Sequence, residues 1–350
     1  CTWRSKLNTI MSQFKINSIT DKSGYCGPVI AGVSTNNSTG CMIIPAGPTE
    51  HRGGRGRGVF SGGSNPVSTT MDLIEIATTG DGIDFGDIIA SRWGLGGLAS
   101  STRGVFVGGY VNTPSAAFFT NIEYITMSSS GGTNDFGDLS QGNYRPGCCN
   151  SPTRGLVGGG FVPPSFAQIN SIEFITIAST GQSSGFGSLS TLLANNGSCS
   201  SPTRGIFAGG YNPSLTAQID FVTIDTKGNG QDFGNLTQAR KEPYGCSNTT
   251  RGLFNGGGFP GGTSDTIDFI TIASFGNATD FGNLSATKSS VAAVASSTRA
   301  VIGGGAAPGA INIMEYVTIA TTGNVTDFGD LLTERRDTGG ASDSNGGLGE

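Results

Sequence analysis

Apolar residues in this chain come in short dense runs separated by Gly, Ser, Thr and Asn, and never at the spacing of a helical face. Arg103 to Tyr110 reads Arg-Gly-Val-Phe-Val-Gly-Gly-Tyr. It is apolar on both sides of an extended chain, the pattern of a strand buried on both faces. Asn121 to Met127 is rich in β-branched and aromatic residues and predicts a second strand. Asp135-Phe136-Gly137-Asp138-Leu139 predicts a third, and the glycine-rich apolar run from Trp93 to Ala99 predicts one ahead of them all. Turn formers separate the four, so they fold as one antiparallel meander.

The meander recurs six times, with a period of roughly 48 residues. One marker is an arginine opening the doubly apolar strand: Arg57, Arg103, Arg154, Arg204, Arg251 and Arg299. Another is the phenylalanine of Asp-Phe-Gly and its variants: Phe85, Phe136, Phe186, Phe233, Phe281 and Phe328. Two independent markers keeping step is no accident of composition. A four-stranded sheet with two apolar faces is not stable alone, but sheets stacked around an axis bury both faces and leave only short edges. A β-solenoid uses shorter coils. The expected fold class is therefore all-β: a β-propeller of four-stranded antiparallel blades.

The ends refine the blade count. Ser342 to Leu348 sits where a further Ser-Pro-Thr-Arg-Gly would begin, and Asn8-Thr9-Ile10 with Phe14-Lys15-Ile16 echoes the aromatic strand. This predicts seven blades, one split between the termini, with six as the alternative. Residues 1–40 would then help complete the closing blade, 41–336 would hold the six repeats, and 337–350 would be a partial repeat that closes the ring.

Composition excludes more than it identifies. Gly accounts for 59 of 350 residues and charged residues for only 13%, but the glycines fall at fixed offsets, as turns and close strand contacts require. The net charge of −5 argues against a nucleic-acid surface. No run approaches the ~20 apolar residues of a membrane span. An initial Cys1 would also suit a lipoprotein, although Thr2-Trp3-Arg4 adds nothing to that. Seven cysteines lack zinc spacing. Cys149, Cys199 and Cys246 share one inner-strand slot that Leu98 and Val294 fill elsewhere, as small apolar residues would.

Catalytic chemistry is thin. His51 is the only histidine, in a Gly- and Arg-rich stretch expected to be a solvated loop, and it cannot supply a histidine metal cluster. Asp84, Asp135, Asp232, Asp280 and Asp327 repeat in equivalent settings, the opposite of the paired, differentiated carboxylates a glycosidase needs. They are expected to accept turn hydrogen bonds or to pair with repeat arginines. The six arginines could ring a channel and hold an anionic glycan. Donating to carbonyls across blades is the expectation preferred here. No cofactor or metal is expected.

The repeat resembles the kelch type. That family ends an inner strand with Gly-Gly, here Gly62-Gly63, Gly108-Gly109, Gly158-Gly159, Gly209-Gly210, Gly256-Gly257 and Gly303-Gly304. An aromatic strand follows, carrying Tyr124, Phe174, Phe221, Phe269 and Tyr316, and the Phe of Asp-Phe-Gly stands where the family usually has Trp. The resemblance covers about residues 41–336 and implies a propeller. It invites comparison with copper radical oxidases, whose paired histidines this chain lacks. The phrasing Ser-Pro-Thr-Arg-Gly, Ile-Thr-Ile-Ala-Ser-Thr-Gly and Thr-Asp-Phe-Gly-Asp-Leu is also similar to repeat proteins encoded by tailed phages of marine bacteria. That resemblance implies a virion component such as a tail fibre, tail tip or capsid decoration.

Specificity is expected in the loops after Gly-Gly, at 64–70, 111–120, 162–170, 212–218, 260–266 and 306–310, which differ in length and composition. They leave one end of the blades, and Tyr110, Asn112, Phe161, Tyr211, Asn212 and Phe259 are the candidate binding residues. The expected function is a non-enzymatic structural and recognition module, extracellular or on a virion. Its partners would be a host surface glycan or another virion protein, with homo-oligomerisation in a larger assembly as one arrangement. The alternatives are a secreted polysaccharide-degrading enzyme on a propeller scaffold and a bacterial surface adhesin or lipoprotein.

Overall fold

The computed structural model describes residues 56–344 and, nearer the N-terminus, the antiparallel pairing of Ser34–Thr35 with Met42–Ile43. Contacts divide the chain into Cys1–His51 and Arg52–Glu350. The described residues of the second unit contain strands and turns and no helix. Six antiparallel sheets are present, each running through four strands from an inner strand a to an outer strand d, and one of them gains a short fifth strand, Phe161–Val162. Blade 2 shows the pattern: a, Gly96–Ala99; b, Arg103–Val107; c, Asn121–Thr126; d, Asn134–Asp138. The inner strands neighbour one another in a closed ring.

The first blade explains the closure. Its b, c and d strands are Arg57–Ser61, Thr70–Glu75 and Ile83–Asp87, but its innermost strand is Gly339–Ser342 from the C-terminus. Gly58 lies opposite Ser342 and Ser61 opposite Gly339. Asp343 then accepts hydrogen bonds from the backbone N–H groups of Gly56 and Arg57, at 3.0 and 2.8 Å. A seventh, split blade is therefore a correction, and the six-blade alternative is the architecture. The C-terminal strand fills the vacant inner position of blade 1, so no gap is left for another sheet. The proposed contribution of residues 1–40 lies outside the described residues, as does His51.

Packing between blades follows from the repeat. Strand b is buried on both faces, while strand d turns only its phenylalanine inward. Phe85 of blade 1 clusters with Ile125 and Met127 of blade 2. Phe136 meets Ile175 and Ile177, Phe186 meets Val222 and Ile224, and so on until Phe328 meets Ile74 and Ile76 of blade 1. The following glycine has φ near +140°, and a Cβ on Gly86 would lie 2.4 Å from the Gly131 carbonyl oxygen of the next blade. Only glycine permits both the backbone conformation and that approach.

A repeated carboxylate on strand c adds a polar tie. Asp72, Glu123, Glu173, Asp220, Asp268 and Glu315 each accept a backbone N–H from the segment linking the preceding blade to their own, as Ser190 N to Asp220 Oδ2 at 2.8 Å. Four also hold a buried cation: Arg92 with Glu123 at 2.6 Å, Arg240 with Asp268 at 2.8 Å, Lys288 with Glu315 at 2.9 Å, and Arg335 with Asp72 at 2.7 Å. Burial pushes the Asp72 carboxyl up and the Arg335 guanidinium down, each partly offset by the other's charge.

Candidate functional site

The two faces of the ring use the same backbone differently. On one face, each repeat arginine reaches the next blade: Arg57, Arg103, Arg204 and Arg251 donate to the carbonyls of Met127, Ile177, Ile272 and Ile319 at 2.8 to 2.9 Å. Arg154 bonds the Ile224 and Asp225 carbonyls, and Arg299 closes the circle onto Ile76 and Ala77. Five guanidinium groups also lie over an aromatic ring of their own blade, from Arg299 over Tyr316 at 4.2 Å to Arg204 over Phe221 at 5.3 Å. Blade 1 has Leu73 in place of that ring, and there Arg57 pairs with Glu75 at 3.3 Å. The arginines ring the rim of this face and are absent from the lining of the axial cavity. Asp84 and Asp280 accept from the N–H two residues on, while their phenylalanines sit in the interblade cores.

The axis itself is nearly filled. Its cavity of about 60 Å³ is lined by inner strands of all six blades, room for a few waters. Side chains of one blade satisfy the exposed strand edge of the preceding one: Ser198 Oγ accepts from Cys148 N and donates to Cys148 O, both at 2.7 Å, and Ser247 does the same to Ser200. Tyr244 reaches across to accept from Gly340 N at 2.9 Å. Cys149, Cys199 and Cys246 are buried free thiols, and burial raises all three. Among the described residues, no three His, Cys, Asp or Glu gather as a metal site requires.

The opposite face carries the variable loops and an unusual ring. The residue two positions before each inner strand turns left-handed: Gly94 at φ 64°, Arg145 at 53°, Asn195 at 57°, Glu242 at 59°, Ser290 at 55° and Asp337 at 60°. Main-chain bonds link neighbours, as Arg145 N to Gly94 O at 2.8 Å and Asp337 N to Ser290 O at 2.9 Å. Glycine would suit all six positions, and Gly94 shows that it is accepted. Holding Arg, Glu, Ser and Asp there costs of order 1 kcal/mol each, strain that structures retain where side chains are needed.

Those side chains converge on the axial mouth. Arg145 ion-pairs with both Glu242 and Asp337 and donates to Asn195 Oδ1 at 3.1 Å; Ser290 donates to Glu242 Oε2 at 2.7 Å. Burial by itself would raise the Glu242 carboxyl, but the Arg145 charge and the Ser290 hydroxyl outweigh it and hold the carboxyl below its usual range. Burial opposes the Arg145 charge too, and the two carboxylates prevail, so its proton is held more tightly than usual.

One residue further out lies a second ring, Trp93, Tyr144, Ala194, Lys241, Ser289 and Arg336, each bridged to a residue after Gly-Gly: Tyr110, Phe161, Tyr211, Gly258, Ala306 and Ser64. One half of the face is thereby aromatic. Tyr110 packs edge-on to Trp93, at 5.6 Å between ring centroids, and Phe161 lies against Tyr144 at 5.9 Å. Phe166, itself left-handed at φ 54°, folds over Tyr110 and Phe118. The other half has small residues, Gly258, Ser289 and Ala306, and a cleft of about 530 Å³ opens there. Arg145, Glu242, Ser290 and Asp337 form its floor, Trp93 and Tyr144 one wall, and Lys241, Phe259, Thr263 and Arg336 line the rest. This volume is that of a small-molecule site.

Of the six candidate binding residues, Phe259 lines the cleft. Tyr110 is buried in the aromatic cluster and Phe161 is half-buried beside it. Asn112 is exposed in its hairpin, and Tyr211 and Asn212 sit half-buried in another. The residues at the floor escaped sequence reasoning. Their signal was a single repeat position reading Gly, Arg, Asn, Glu, Ser, Asp in successive copies, polar variation two residues ahead of an inner strand of mostly small residues. Comparison with protein-family models and with curated proteins finds no match to this chain.

Proposed function

We propose that the propeller is a non-enzymatic recognition module that binds a glycan in the axial-mouth cleft, in the setting of a virion exterior. The observation that carries this reading is the left-handed ring. Five of six copies place a polar side chain where glycine is free of strain, and four of them, Arg145, Glu242, Ser290 and Asp337, meet at one cleft walled by Trp93, Tyr144 and Phe259. Sugars ask for that combination: aromatic faces against C–H faces, with fixed donors and acceptors around hydroxyls. The virion setting rests on the similarity of repeat phrasing to tailed-phage proteins. The non-enzymatic reading rests on the floor, where Arg145 keeps both carboxylates paired and Glu242 is more acidic than usual, so it is poorly suited to donate a proton.

A glycan array on the purified chain, paired with a reducing-sugar assay on every hit, tests this. Binding that Ser289→Trp abolishes, with no sugar released, is the expected result. Release of reducing sugar would replace the module with an enzyme, and an array with no hits would remove the glycan.

A further inference from the structure

The cleft has one more cation than it has carboxylates. Arg145, Lys241 and Arg336 line it against Glu242 and Asp337. Arg145 is spent on both carboxylates at once. Arg336 stands on the rim with Nε 3.8 Å from Asp337 Oδ2, too far to be a hydrogen bond, and that buried Nε finds no acceptor among the described residues. Lys241 is exposed at the lip, close enough to Glu242 to lower its pKa, and it has no ion pair among the described residues. A buried donor lacking an acceptor costs free energy that a ligand oxygen would recover. Opposite these two cations stand Trp93 and Tyr144, held edge to face at 4.9 Å.

We infer that the cleft takes a saccharide bearing a carboxylate, such as a uronic or sialic acid unit, with its acid group between Lys241 and Arg336 and its ring against Trp93 and Tyr144. This rests on the glycan reading above and narrows it to acidic sugars. A monoanion balances the cleft charge, supplies Arg336 Nε with an acceptor, and keeps the floor pairs intact. A neutral sugar spares the floor pairs and its hydroxyls can accept from Arg336 Nε, but only an anion also balances the cleft charge. The flat guanidinium suits a planar carboxylate, while the ammonium adds a second, mobile donor. A phosphate diester matches the charge as well, but lacks a pyranose face to set against the aromatic wall.

The test is calorimetric titration of the full chain with trisaccharides ending in galacturonate, glucuronate, mannuronate or sialate, each beside its methyl ester. The ester keeps the ring and hydroxyls and removes only the charge. At least one acid is expected to bind about tenfold or more tighter than its ester, with that preference fading as salt rises. Lys241→Met and Arg336→Met should each erase most of the preference, and Arg336→Lys should restore part of it. These are rim positions, and unchanged thermal unfolding confirms folding in each case. Acid and ester binding equally well overturns the acidic-sugar assignment and leaves the glycan reading standing. Failure of every acid and ester while neutral glycans bind the array does the same. Failure of all saccharides removes both.

Discussion

The two faces of this ring are made from the same six repeats and obey opposite rules. On the arginine face, six identical side chains make the same bond, a guanidinium to a carbonyl one blade on, and even the exception at Leu73 is compensated through Glu75. On the mouth face, six equivalent backbones in one left-handed conformation carry six side-chain choices: Gly94, Arg145, Asn195, Glu242, Ser290 and Asp337. Where sequence repeats, the chemistry is blade-to-blade adhesion. Where only the conformation repeats, the side chains act together as one asymmetric site.

The largest effect should come from the strand-c carboxylates that hold a buried cation, as four of the six do. Asp268→Ala leaves Arg240 charged and buried with its partner gone, and is expected to cost about 3–5 kcal/mol in chemical denaturation. Removing both charges in Arg240→Met with Asp268→Leu should recover most of that. If the single variant unfolds like the parent, the buried pair is not holding the ring.

Next come the repeat arginines. Arg251→Ala loses a 2.8 Å bond to Ile319 O and the contact over Phe269, worth about 1–3 kcal/mol together. Arg103→Ala should cost a similar amount, and neither should change ligand affinity. Unequal losses at these two sites would break the equivalence drawn for that face.

Smaller still is the mouth. Glu242 has a folded pKa below its unfolded value, so its charge stabilises the fold above the ordinary carboxylate range near pH 4.3, and that contribution is lost as pH falls through the depressed value. Glu242→Gln should therefore unfold about 1 kcal/mol more easily than the parent at pH 7. The gap should close as the pH drops below about 4, which an unfolding series across pH would detect. A gap that widened in acid would mean the carboxyl is not held low. Lys241→Met should change stability least, within about 0.5 kcal/mol, while affecting acidic-ligand binding most.

Much of the scaffold was legible because its causes are local and repeated. The continuous apolar run of Arg103–Val107, the β-branched and aromatic run of Asn121–Thr126, the Gly-Gly pairs and the spacing of the Phe residues specify strands, turns and a period, and a period of four strands needs neighbours to bury its faces. The buried ion pairs were half-visible, since a carboxylate stands in strand c of every copy, but Arg92, Arg240, Lys288 and Arg335 lie in linkers where a cation ordinarily means solvent. The loop aromatics attracted attention as exposed candidates. Tyr110 instead packs on Trp93 and Tyr144, and Phe161 on Tyr144 and Phe166, because neighbouring blades bring residues distant in the chain, such as Trp93 and Tyr144, into contact.

By itself the sequence determined the strands, their meander and the radial stacking, because periodicity and turn chemistry act within a single repeat. Tertiary structure alone decided the number of blades and the site. The count depends on which partner captures Gly339–Ser342, and Arg57–Ser61 of blade 1 offers an unfilled edge that no separate sheet could match. The site depends on an axis, which belongs to no residue: only a closed ring brings Arg145, Glu242 and Asp337, distant in the chain, within reach of one another.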